Sequence, residues 1–110
     1  MAILTEQKIL RTGTTVTFVA AAGGGDSFQN SGTQKVRFKN GSGSPITVTV
    51  DTPNRDNFGV TDNALDITLT VPAGGEITAG PFDTARHNDA NGRVQMTYSG
   101  VTSLTVAVTN

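Results

Sequence analysis

Period-two alternation between threonine and aliphatic residues constrains this chain more than anything else it contains. Ile46–Thr52 reads ITVTVDT, with Ile46, Val48 and Val50 on one face and Thr47, Thr49 and Asp51 on the other. Leu65–Val71 reads LDITLTV, with Leu65, Ile67, Leu69 and Val71 sharing a face. Successive side chains of a strand point to opposite faces, so each segment becomes a ribbon with one oily and one hydroxyl side. The same period recurs in Thr14–Ala21 (Val16 and Phe18), Gln34–Asn40 (Val36 and Phe38) and Glu76–Ala79 (Ile77). It recurs again in Arg93–Ser99 (Val94, Met96, Tyr98) and Ser103–Val108 (Leu104, Val106, Val108). Strands buried on both faces read as continuous apolar runs, whereas one-sided alternation marks antiparallel sheets with one face packed and one wet.

Composition agrees. The chain has 18 Thr and 11 Val, both β-branched and at ease on a pleated surface, and 13 Gly to punctuate it. Asn40–Pro45 (NGSGSP), Pro72–Gly75 (PAGG) and Ser99–Thr102 separate the strands, and Pro72–Gly75 reads as a tight hairpin connection. Pro45, Pro72 and Pro81 fall at strand ends, where a missing N–H is tolerated. No long helical period occurs; Thr5–Leu10 could form a single turn. The expectation is an all-β fold, an antiparallel β-sandwich of about seven short strands. One domain, 14–110, carries an N-terminal arm, 1–13, whose Ile3, Leu4, Ile9 and Leu10 precede the first clear strand. That arm is read either as an edge strand or flap on its own core or as a segment that docks on a neighbouring subunit. At 110 residues a true core can be buried without disulfides or metal.

Three segments read as long loops: 22–33, 53–64 and 81–92. Phe28, Phe58 and Phe82 are expected to pin them to the ends of the sandwich, with ligand stacking as the alternative.

The search for chemistry excludes more than it finds. There is no cysteine, hence no disulfide scaffold, thiolate metal site or cysteine nucleophile. The single histidine, His87, is expected to be solvated. No nucleophile elbow occurs, and Gly23-Gly24-Gly25-Asp26-Ser27 lacks the GK[ST] ending of a phosphate loop. Asp51, Asp56, Asp62, Asp66, Asp83 and Asp89 lack calcium-loop spacing, although a sandwich-end calcium site from distant loops stays open. Only two glutamates, Glu6 and Glu76, are present. The chain is expected to be no enzyme and to need no cofactor or metal.

With 8 Lys plus Arg against 9 Asp plus Glu, a nucleic-acid partner is not expected. Lys35, Arg37 and Lys39 nevertheless form a cationic strand face. It is read as a wet face that discourages edge aggregation, or as a match to an acidic protein surface. No aromatic is expected among these charges on their own strand face, since Phe38 alternates to the other side, which counts against single-stranded nucleic acid. The longest apolar stretch, near Phe18–Ala22, is far too short to span a bilayer, and the N-terminus carries no secretory signal. A soluble cytosolic product, with no membrane partner, is expected.

An ordered set of motifs carries a resemblance. Gly25–Asn30 (GDSFQN), Val36–Val50 (VRFKNGSGSPITVTV) and Thr70–Glu76 (TVPAGGE) come first. Gly80-Pro81-Phe82, Arg86–Asp89 (RHND), Val94–Ser99 (VQMTYS) and Val101–Val108 (VTSLTVAV) follow. Across residues 12–108 the chain resembles small structural proteins of tailed bacteriophages. That resemblance implies a head-associated virion protein, most like a decoration (cement) protein on the capsid exterior, with the major capsid protein as partner. It carries no catalytic residue. Capsid symmetry favours a homo-oligomer, with a trimer preferred. Ile3, Leu4, Ile9, Leu10, Lys35, Arg37 and Lys39 are the candidate partner contacts. A neck or tail component, and a carbohydrate- or host-surface-binding sandwich using the three loops, are the alternatives.

Overall fold

The computed structural model describes residues 2–52 and 66–110. Leu65, Phe58, Asp56, Asp62 and the 53–64 loop, all singled out above, lie outside the described residues. Among the described residues ten strands form two stacked sheets, an all-β sandwich, with one helical turn beside them. The strands are β1 (Ala2–Leu4), β2 (Glu6–Gln7), β3 (Val19–Ala20), β4 (Asp26–Gln29) and β5 (Lys35–Asn40). They continue with β6 (Ile46–Val50), β7 (Ile67–Val71), β8 (Glu76–Ala79), β9 (Arg93–Tyr98) and β10 (Leu104–Thr109). The helical turn, α1, is Thr84–His87.

The first sheet has the order β1-β4-β9-β6-β7. The second has β2-β10-β5-β8, with β3 also on β10. Most connections pass from one sheet to the other, and among the described strands β6 and β7 are the only consecutive ones that pair with each other. Pro72–Gly75 is therefore not a hairpin: it leads from β7 in one sheet to β8 in the other. It is still a tight turn, closed by Gly75 N–H donating to Pro72 O at 2.9 Å. A Cβ on Gly75 would sit 2.5 Å from Pro72 Cγ, so the turn demands glycine.

The alternation names the core correctly for most strands. Val36, Phe38, Val48, Val50, Val71, Val94, Met96, Leu104, Val106 and Val108 are all essentially inaccessible. Each such side chain contributes roughly 1.5–3 kcal/mol when removed from water. Phe28 and Phe82 complete the core at one end, their ring centroids 6.0 Å apart. They are anchors, as the loop reading held, and their burial removes them as stacking rings for a ligand.

Four local expectations need correction. The strand read over Thr14–Ala21 shrinks to Val19–Ala20, and Val16 and Phe18 lie outside the core. The loop read over 22–33 contains β4, a four-residue strand inside the first sheet. Thr5–Leu10 makes no helical turn; it holds β2. Within 81–92 lies the short helix α1, capped by Asp83 Oδ1, which accepts from Ala85 N–H at 2.9 Å.

The sheets also contain two parallel pairs, β1 with β4 and β2 with β10. One extended run, Ala2–Gln7, causes both. It lies along the first sheet, crosses the corner at Thr5, and continues along the second, as strands at sandwich corners do. Leu4 is thereby buried in the core.

Candidate functional site

Two constellations stand out, one inside the sandwich and one on its surface. The internal one centres on Asp26, which is fully buried. Its Oδ2 accepts from Tyr98 Oη–H at 2.7 Å and from Ala22 N–H at 3.1 Å, while Oδ1 has no partner. Burial, then the Asp26 carboxylate, push the Tyr98 phenol far above its ordinary range. This pair ties β4, β9 and the 22–25 turn together from within and offers no opening to a substrate.

His87 is also buried, which corrects the solvated reading. Its ring stands edge-on to Phe82 with centroids 5.7 Å apart, and Nδ1 lies 3.4 Å from both Thr52 Oγ1 and Asp51 O. The flanking loop is held by amides. Asn30 Nδ2 donates to Asn88 Oδ1 at 2.7 Å and to Phe82 O at 3.1 Å, and Asn88 Nδ2 donates back to Asn30 O. Asp89 accepts from Gln95 Nε2 and from the backbone N–H groups of Asn91 and Arg93. The Gln95 bond leads in holding the Asp89 carboxyl below its usual range, against opposing desolvation. No cluster of metal-ligating side chains occurs among the described residues. Nor is any described helix long and apolar enough to cross a membrane.

The surface constellation lies along the β2–β3 edge of the second sheet. There β10 has two partial neighbours: β3 against Thr105 and Val106, and β2 against Val108 and Thr109. Gln7 bridges between them. Its Nε2 donates to Thr17 O and its Oε1 accepts from Thr17 N–H, both at 2.8 Å. The side-chain amide thus replaces a peptide group where the ladder would break. An open groove of about 390 Å³ remains, lined by Ile3, Leu4, Thr17, Val19 and the Val106–Val108 stretch. Ile3 and Val19 are 60% and 47% exposed at its rim, an unusual position for aliphatic side chains able to pack elsewhere.

The chain after β2 adds to this edge. Ile9 N–H donates to Asn110 O, and a turn closes through Gly13 N–H to Leu10 O, with Gly13 at φ +100°. Ile9 and Leu10 ride on that turn, both about half exposed.

On the outer side of β5, Phe18 lies against the cations. Lys39 Nζ stands 4.1 Å and Arg37 Cζ 5.6 Å from its ring centroid. Space therefore brings together what the linear sequence kept apart, and the absence of an interleaved aromatic is corrected. Arg37 also pairs with Glu76 at 2.7 Å. Lys35, opposite Thr109 on the neighbouring strand, is exposed like Lys39.

Of the candidate contacts, Ile3, Ile9, Leu10, Lys35 and Lys39 are exposed; Ile3 lines the groove, while Lys35 and Lys39 lie on β5, an interior strand of the second sheet. Leu4 is a core residue, and Arg37 is engaged internally. Lys8 and Arg11 add to the same region, so five of the eight cationic residues fall within residues 8–39. Phe18, Val19 and Gln7 went unnoticed as members of this face. The signal for Phe18 was its spacing opposite a cationic strand, which becomes legible only once register is known.

Comparison with protein-family models, with curated proteins and with solved structures finds no match for this chain.

Proposed function

We propose that this chain is a non-enzymatic virion structural protein that decorates the head of a tailed phage. In this reading the β2–β3 edge docks on the major capsid protein. The reading draws on the motif resemblance across residues 12–108. The observation that supports it most is the set of exposed aliphatic side chains Ile3, Ile9, Leu10 and Val19, with Ile3 and Val19 at the groove, together with exposed Lys35 and Lys39 on a two-sheet body. Exposed apolar groups collected beside charge suit a docking surface better than a solvated one. The partner segment that fits is acidic and carries aliphatic side chains for the groove. Binding only to the assembled, expanded shell would stabilise that shell by mass action. The placement is the virion head surface.

The test uses point changes, because β1 and β2 are members of the sheets and truncation would remove core packing. Ile9→Ser combined with Leu10→Ser, and separately Lys39→Glu, are added to undecorated expanded heads, and co-sedimentation reads occupancy. Each change is expected to weaken attachment by about tenfold, equivalent to about 1.4 kcal/mol. Undiminished occupancy by both variants would remove the edge from the proposal. Detection of the chain as one ring per virion, rather than across the lattice, would turn the reading to a neck or tail component. Among the described residues, Phe28 and Phe82 are both buried and so do not serve a carbohydrate-binding module as stacking rings.

A further inference from the structure

The other edges of the sandwich differ sharply in how they are finished. β1 is three residues long, and β2 and β3 are two residues each. β8 carries Glu76, which is held by Arg37. β7 is the exception. It presents five uncharged residues, Ile67-Thr68-Leu69-Thr70-Val71, and among the described residues nothing pairs with its outer side. Natural edges are usually blunted by charge, proline, brevity or a bulge, and an edge without these is a template for another strand.

Register shows which groups that edge offers. On β6, Thr47 N–H donates to Ser99 Oγ, Thr47 O accepts from Ser99 N–H, and beyond the strand Asp51 N–H donates to Gln95 O. Thr47, Thr49 and Asp51 thus aim their backbone at β9, and Ile46, Val48 and Val50 aim theirs at β7. Their partners Val71, Leu69 and Ile67 are the hydrogen-bonded pairs of the β6–β7 ladder. The N–H and C=O of Thr68 and Thr70 therefore point away from the sheet.

We infer that this edge pairs with the same edge of a second copy, antiparallel about a two-fold axis at Leu69. The occupant follows from the sequence of the strand, which is nearly palindromic about that residue. In this register Thr68 faces Thr70 of the second copy, and the two exchange both backbone hydrogen bonds, twice over by symmetry. Leu69 faces its own counterpart in a non-hydrogen-bonded pair, where side chains approach most closely. Ile67 meets Val71. No charged pair is opposed, and Asp66 falls across from Pro72, where the ladder ends for want of an N–H. Half-buried Ile67 and Leu69, on the inner face of an open edge, gain the apolar cover they lack. The two five-stranded sheets become one of ten strands. A three-fold ring would need two different complementary edges, and the remaining ones are short or charged; the structure thus favours a two-fold pair over the trimer expected from lattice symmetry. This inference is independent of the head-docking proposal, which uses the opposite side of the molecule.

The test is the solution mass, by sedimentation and light scattering, up to about 1 mM, since a small interface of this kind belongs to the weak class. The expected mass is twice that of the 11.4 kDa chain. Thr70→Pro deletes an outward N–H without touching the β6–β7 ladder and should halve the mass. Thr78→Pro is the matched control. Asn40 N–H donates to Gly75 O, so the Thr78 backbone also points outward, on β8, and this variant should remain paired. A monomeric parent at every concentration, a trimer, or a Thr70→Pro variant that stays paired would each overturn the inference. If Thr70→Pro fails to fold, Leu69→Cys decides. The chain has no other cysteine, and Cα atoms about 4.5 Å apart across the axis lie within disulfide reach. Oxidation should give a covalent dimer, and an uncrosslinked chain would refute the register.

Discussion

Residues 14–20 (TTVTFVA) and 46–50 (ITVTV) carry nearly the same pattern and meet opposite fates. In the second, Ile46, Val48 and Val50 are all buried in the middle of the first sheet, with β7 on one side and β9 on the other. In the first, only Val19 and Ala20 form strand, Val19 is exposed, and Phe18 lies outside on Lys39 and Arg37. The difference is one of vacancy. Leu4 and Ala21 occupy the core positions near that edge, and the 14–18 ribbon borders the open groove through Thr17 rather than closing over the core. Periodicity reports that a ribbon has two unlike faces; it does not report which side of the molecule has room for the oily one.

The sharpest way to break this comparison is to place the same charge in both ribbons. Val48→Asp puts an uncompensated carboxylate where no water reaches and is expected to unfold the domain, at a cost of several kcal/mol. Val19→Asp sets the same group on an exposed rim and should shift stability by about 0.5 kcal/mol or less. Thermal melts of the two proteins check both statements. Comparable melting for the pair would mean that the faces are assigned wrongly.

The interior pair of Tyr98 and Asp26 sharpens the contrast between buried and exposed aromatic–charge contacts. Tyr98→Phe removes one of two donors to a fully buried carboxylate and is expected to cost about 1–3 kcal/mol. A pH effect accompanies it. The folded phenol keeps its proton beyond the pH at which an unfolded tyrosine, near 10.0, loses it. Its contribution is therefore intact below pH 10 and falls as pH rises above that point, because only the unfolded state then releases the proton easily. Denaturant midpoints measured above pH 10 should decline in the parent protein more steeply than in Tyr98→Phe. Parallel slopes would exclude the pair as the cause.

The contrast also explains what the sequence made legible. Core strands β5, β6, β9 and β10 could be read because each has a full alternation and ends in a Gly, Pro or Asn signal. β4 (DSFQ) could not, since its Asp26 and Ser27 are polar yet buried, and Asp26 is held in part by Tyr98, 72 residues further along the chain. His87 reads as solvated for the same reason: Phe82, the Asp51 carbonyl and the Thr52 hydroxyl surround it only after folding. β1 and β2 were too short to show a period, and both pair in parallel with strands far along the chain. The proposed docking face lay beyond local reading because it draws on residues 3–19, β5 and β10. Its cationic half was visible as Lys35, Arg37 and Lys39, whereas Phe18 looked like a core residue.

The smallest effect concerns Phe18 itself. Phe18→Ala removes a half-buried ring and two cation–π contacts on the outer surface. Such contacts at exposed sites are worth about 0.5–1 kcal/mol each, and Arg37 keeps its bond to Glu76 in the variant. Stability should therefore fall by about 1 kcal/mol, well short of the loss at Val48. A double-mutant cycle with Lys39→Gln isolates the ring–ammonium contact, and a coupling of about 0.5 kcal/mol is expected. The ring matters more for what it organises: without it, Lys39 loses its resting place beside the groove rim. Head attachment, read at the same salt concentration, should then weaken more than stability does. Equal losses in the two measurements would make Phe18 a packing residue that happens to lie outside the core.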